Sequence, residues 1–286
     1  MEELSKLKST LKRKPRRNSI PRAVSYWLFF KRHILERPDV RAQFEEGVLD
    51  IDGFRQLVRT VAKPSKWGPS FCRQRRGTSA KTAKRNTNDM LAVLWRYYEA
   101  LLHPASAIYV AESEAVGGLG LFARRGAAVA VAGRLFPGHL WGVPFEVDED
   151  AFAELHAGDY PSLYRTPDGR AHILCGPLAL VNHRCAAPLS FSLPKRIAAV
   201  AAPSSACASA AAPVTPPLGK NGDLSLEEFA GLSAVYARAT VRLRLAKGGE
   251  ILVNYFGLEG RKKDSDVAFA GVACKCLTCT AADSSD

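Results

Sequence analysis

The chain has 286 residues, enough for one large domain or two small ones with a substantial buried core. Its hydrophobic fraction of 47% is ordinary for a globular protein, but a net charge of +12 and a pI near 9.5 are not, and they point to a polyanionic neighbourhood such as nucleic acid or chromatin. Seven cysteines, three of them within residues 274–286, argue against a secreted disulfide scaffold and favour metal ligation in a reducing compartment.

Residues 1–22 read as a disordered basic tail. Its cluster Lys12-Arg13-Lys14-Pro15-Arg16-Arg17 suits either a nuclear-import address or a nucleic-acid contact. No apolar stretch at the start resembles a secretory leader, and no run is long and apolar enough for a membrane span, so no membrane partner is expected.

Residues 23–104 read as a helical N-terminal domain. Val24, Trp27, Leu28, Ile34 and Leu35 recur at helical spacing, as do Met90, Leu91, Leu94, Trp95, Tyr98 and Leu101. Asn88 or Asp89 is the expected N-cap of the second helix, and His103-Pro104 its stop. Asp50 and Asp52 stand at the start of another helix carrying Phe54, Leu57 and Val58. The stretch from Lys63 to Lys84, rich in Arg, Lys, Gly, Ser and Thr, reads as an exposed loop.

From Ala105 the pattern turns short, glycine-punctuated and β-like. Strands are expected around 107–110, 120–122, 128–131 and 172–174, with Gly117-Gly118-Leu119-Gly120 as a turn between two of them and a short helix over 151–156. Gly176 to Cys185 is an apolar run that ends in Asn182-His183-Arg184-Cys185. His183 has no second histidine three or four residues away, which speaks against a histidine-based metal site. Residues 197–223 are low-complexity Ala, Pro and Ser and read as a mobile insertion, followed by a short helix over 223–232. Thr240 to Leu245 alternates like a half-exposed strand. Gly248-Gly249 then turns the chain into Glu250-Ile251-Leu252-Val253-Asn254-Tyr255, a short buried strand that ends in a tyrosine. The three thiolates of Cys274-Lys-Cys276-Leu-Thr-Cys279 fit a tetrahedral zinc site that lacks one ligand; Cys185, Cys175, Cys207 and His183 are candidates for the fourth.

Gly118-Leu119-Gly120, Asn182-His183-Arg184-Cys185, Glu250 to Tyr255 and the terminal Cys-x-Cys-x-x-Cys, in that order, resemble the SET-domain protein lysine methyltransferases over about residues 105–280. The resemblance implies an α+β fold: a β-rich SET domain over 105–258, of short sheets with a pseudoknot, after the helical domain and before a zinc-binding post-SET segment over 259–286. It implies S-adenosylmethionine held by Gly118, Leu119, Gly120, Asn182, His183 and Tyr255, with Tyr255 also lining the lysine channel as the catalytic residue. It implies a structural zinc on Cys185, Cys274, Cys276 and Cys279. Gly-Pro-x-Ala-x-x-Asn-His-x-Cys and the helical N-terminal region are similar to the branch that acts on the histone H4 tail, which implies a nuclear enzyme acting on a histone tail or nucleosome. A non-histone substrate and a non-catalytic chromatin-binding SET protein are the alternatives. The chain departs from the family pattern at Ala186-Ala187-Pro188-Leu189, at Asn254 where aspartate is commoner, and at Val253 where an aromatic is frequent.

Overall fold

The computed structural model describes residues 21–61, 80–114, 118–157, 162–165, 169–184, 186–191 and 234–254. Helix α1 (Arg22–Phe30) widens into a π-type turn over Lys31–Leu35, closed by the Glu36 N–H on the Lys31 carbonyl. Helix α2 (Pro38–Glu45) has proline in its first turn, where the missing N–H costs nothing. Helix α3 (Ile51–Val61) is capped by Asp50, whose Oδ1 accepts the Gly53 N–H at 2.7 Å. Helix α4 runs from Ala80 to Leu101.

Helix α4 therefore starts eight or nine residues before the expected caps Asn88 and Asp89, and takes up the end of the stretch read as a loop. Ala80, Lys81, Ala83, Lys84 and Arg85 are good helix formers, and extending an existing helix is cheap compared with starting one. The apolar stripe that marked the helix begins only at Met90.

The strands begin at Ile108, seven residues after α4 ends. Strands β1 (Ile108–Ser113) and β2 (Gly118–Ala123) form an antiparallel hairpin, from Ile108 opposite Ala123 to Ser113 opposite Gly118. Gly118, Leu119 and Gly120 are thus part of a strand, not of the expected turn. Short β3 (Ala127–Val129) leads to β4 (Trp141–Glu146), α5 (Glu149–Ala157), β5 (Leu163–Arg165) and β6 (Ala171–Cys175). A 3-10 turn over Pro177–Leu180 precedes β7 (Asn182–His183) and β8 (Leu189–Phe191). The chain resumes with β9 (Val235–Ala239), β10 (Leu243–Leu245) and β11 (Leu252–Val253).

These strands make four small sheets: β1-β2, β3-β10, β7-β11 and a five-stranded sheet ordered β5-β6-β4-β9-β8. The helix and strand content is that of a mixed α+β protein. Strand β4 gave no sequence signal because Gly142 and Pro144 interrupt it. Among the described residues the segment from Val143 onward pairs only with β6. The alternation from Thr240 to Leu245 also misleads. Thr240 turns its N–H and its Oγ1 onto the Pro188 carbonyl, at 2.8 and 3.0 Å, so the chain bends and β10 starts only at Leu243. All but the last two residues of the expected basic tail, most of the 63–84 loop, the 197–223 insertion, the 223–232 helix and the 259–286 zinc segment lie outside the described residues, and Arg22, read as tail, opens α1.

One buried core spans helices and sheets. Its helical part is aromatic: Trp27 meets Tyr97 edge-on at 5.0 Å, and Phe54 meets Phe44, Trp95 and Tyr98 at 5.8, 5.2 and 5.3 Å. Each such pair contributes about 0.5–1.5 kcal/mol beyond burial. The Tyr98 hydroxyl accepts the Leu49 N–H and so stays buried without a lost hydrogen bond. Tyr97, on α4, stacks on Trp141, on β4, at 5.8 Å and joins the two parts of the core.

Candidate functional site

The last described segment, residues 248–254, is the piece that three distant stretches share. Gly248 has a left-handed φ of 79°, which makes the turn ahead of it. Its N–H bonds the Ala123 carbonyl, the Ala123 N–H bonds the Gly249 carbonyl, and the Ile251 N–H bonds the Leu121 carbonyl at 2.7 Å. Residues 248–251 therefore lie antiparallel to β2. The segment then changes neighbour. Leu252 and Val253 pair in parallel with Asn182 and His183, the Arg184 N–H bonds the Val253 carbonyl, and the Asn254 N–H bonds the Leu189 carbonyl. Ile251 and Val253 are wholly buried, so apolar burial fixes the side on which the polar neighbours emerge.

The polar centre lies at the change of neighbour. The Asn182 amide Nδ2 donates to Glu250 Oε1 at 2.9 Å and reaches the Leu119 carbonyl at 3.5 Å. A Cβ on Gly120 would sit 2.7 Å from Glu250 Oε1 and 3.0 Å from Asn182 Nδ2. Glycine at 120 is thus required by space, because the Asn182–Glu250 bond occupies the place of a side chain. Among the described residues nothing lies within 4 Å of where a Gly118 Cβ would be. Ser113, opposite Gly118, is 2% exposed, and its hydroxyl finds no partner among the described residues.

His183 faces the other way along β7. Its Nδ1 lies 3.1 Å from the Val253 carbonyl, which can only accept, so Nδ1 carries the proton. Burial pushes the ring's pKa below the usual histidine value, and the bond to Val253 only partly offsets this, so the ring is neutral at pH 7. Glu250 is half-buried, and no cationic side chain lies within ion-pair distance of it among the described residues. The arrangement offers amide groups and an unneutralised carboxylate.

Of the residues singled out from sequence, Leu119, Gly120 and Asn182 come together here, with Gly118 at the start of β2 and His183 beside Val253. Tyr255, Cys185, Cys274, Cys276 and Cys279 lie outside the described residues. Among the described residues no group of three or more His, Cys, Asp or Glu could hold a metal ion. Cys175, one candidate for a fourth zinc ligand, is wholly buried in β6 among apolar side chains, where burial drives its thiol pKa far up, a poor setting for a thiolate. Sequence reading gave Glu250 no role of its own. Its signal is an acidic residue directly between a glycine turn and a buried strand.

No family model and no curated protein sequence matches the chain. A crystal structure from Plasmodium falciparum, described as that of a "putative histone methyltransferase", superposes with a TM-score of 0.31 and 15% identity over 52% of this chain and 92% of that one. So low a score places the chain in no fold family. No helix among the described residues is long and apolar enough to cross a membrane.

Proposed function

We propose that the chain is an S-adenosylmethionine-dependent protein lysine methyltransferase of the SET type, acting on a histone tail, with histone H4 as the first candidate. The observation that carries this reading is the junction where Leu119 and Gly120, Asn182 and Glu250 meet, although 63 and 68 residues separate Asn182 from Leu119 and Glu250. Three motifs that are weak singly are joined there by backbone pairing and by one side-chain hydrogen bond.

The donor set fits the cofactor. S-adenosylmethionine is a cation at its sulfonium and its amino group, and an unneutralised carboxylate beside an amide suits such a ligand. The backbone at Gly118 and Leu119, with Asn182 and His183, would hold it. When bound it supplies a methyl group on a good leaving group, so the protein need not provide a strong acid. What remains for the chain is to orient a neutral lysine amine and keep water out. Tyr255, directly after Asn254, would orient that amine through its hydroxyl and stabilise the charge that develops. The four thiolates of Cys185, Cys274, Cys276 and Cys279 suit a closed tetrahedral zinc with a structural role. The basic composition agrees with a nuclear, chromatin-bound enzyme.

The test is transfer of labelled methyl from S-adenosylmethionine to recombinant nucleosomes and free histones, with Tyr255→Phe in parallel. The expected result is one labelled histone whose signal falls at least about tenfold in the variant, as loss of an oriented hydroxyl requires. A protein that binds the cofactor but labels no histone would overturn the histone reading.

A further inference from the structure

We propose that one face of the five-stranded sheet, centred on Arg134, Tyr236 and Arg238, is a binding surface for the phosphate backbone of a nucleic-acid duplex. The proposal does not rest on the methyltransferase reading, since neither the cofactor site nor Tyr255 takes part.

The face is set by strand pairing. Tyr236 and Arg238 are two residues apart on β9, so they point to the same side, while Val235, Ala237 and Ala239 fill the buried side. Directly opposed residues in antiparallel strands share a face. Trp141 opposes Tyr236, and Arg134 opposes Arg238. The Arg134 guanidinium lies over the Tyr236 ring at 4.3 Å, and the Arg96 guanidinium lies over the Trp141 ring at 5.5 Å. The result is a row of three arginines and two aromatic rings: Arg96 over Trp141, Trp141 opposite Tyr236, and Arg134 over Tyr236 and opposite Arg238.

Two features of the row call for an anion. Arg134 and Arg238 are both exposed and sit directly across from one another, an arrangement of like charges that weakens a sheet unless a counter-charge lies between them. Neither has a carboxylate within ion-pair distance among the described residues, whereas Arg37, Arg55, Arg165 and Arg170 all do. The rings fix the geometry. Stacking on Tyr236 holds the Arg134 fork in place while leaving its N–H edges for phosphate oxygens.

The same stacking selects the kind of nucleic acid. Trp141 is only 7% exposed, and Arg134 occupies a face of the Tyr236 ring, so little ring surface is left to stack on an unpaired base. The row therefore reads backbone charge and not bases, which suits a duplex whose bases are already stacked. The chain's net charge of +12 would support the same encounter at longer range.

The test uses the full chain and a fluorescent 20-base-pair DNA duplex, with affinity followed over a series of salt concentrations. The Arg134→Gln/Arg238→Gln double variant is expected to bind roughly tenfold more weakly near 0.1 M salt, with a salt slope reduced by about two, as loss of two phosphate contacts requires. Arg37→Gln/Arg55→Gln, which removes the same charge from the helices, should leave the slope unchanged. An unchanged slope in the first variant, or an equal loss in both, would overturn the proposal, as would a wild-type chain that binds polyglutamate more tightly than the duplex. If the double variant does not fold, Arg238→Gln alone carries the test, with an expected slope change of about one.

Discussion

The helical part of the molecule and the strand junction are held together by different physics. Phe44, Phe54, Trp95 and Tyr98 form a cluster of rings in mutual contact, where each side chain has several partners and burial of apolar area supplies the energy. The junction of β2, β7 and residues 248–254 has two-residue strands, a few backbone bonds, one Asn–Glu bond and a glycine that leaves room for it. The first arrangement is stable because it is redundant. The second is specific because each of its groups has one position. A substitution in the first should therefore lower stability, and one in the second should lower binding.

The largest effect should come from Phe54→Ala. The residue is fully buried against three other aromatic rings, and its truncation should cost about 3–5 kcal/mol of stability in urea unfolding. Binding of S-adenosylmethionine to the protein that remains folded should be unchanged; a comparable loss of affinity would erase the distinction between the two regions. Gly120→Val should do the reverse. Its side chain must displace the Asn182–Glu250 bond, at a stability cost of about 1–3 kcal/mol, while cofactor affinity measured by calorimetry falls more than about tenfold. Retained affinity would mean that the junction is not the cofactor site.

The smallest effect is one of pH and touches both regions. His183 at the junction, His33 beside α1 and His139 in the loop before β4 are each held below the usual histidine pKa chiefly by burial. Their folded pKa values lie under the unfolded value near 6.5, so in that interval the unfolded chain binds more protons. Stability should then be constant above about pH 6.5 and decline as pH falls through the interval, levelling once the folded rings also protonate. Melting temperatures between pH 7.5 and 5.5 would show this, and His183→Asn should shallow the decline. A melting temperature that rises on acidification would contradict the buried, neutral assignment.

Local patterns carried much of the fold. The stripe Met90, Leu91, Leu94, Tyr98 and Leu101 marked α4, and Asp50 marked the start of α3, because helix faces and caps are written within one or two turns. Strand β4 was hidden because its glycine and proline read as punctuation, and its partners on β6 and β9 lie about 30 and 95 residues away along the chain. Gly118 to Gly120 read as a turn because glycine is the usual turn residue; a cross-strand neighbour converts the same residues into β2. At the site, Gly120, Asn182 and Glu250 all stood in motifs, but Glu250 was given no role of its own, since its partner is 68 residues away.

The amino-acid sequence by itself determined what depends on neighbours along the chain: the helical periodicity before residue 102, the β-like segments after 105, the basic charge and the clustered cysteines. Only the tertiary structure decided what depends on distant partners. It placed the Asn182 amide on Glu250, set a glycine where that bond needs space, and laid Arg134 opposite Arg238 on one face of a sheet. The physical reason is range. Periodicity and capping act within a few residues, whereas strand register and shared faces are fixed by backbone hydrogen bonds and burial between segments whose sequences carry no record of one another.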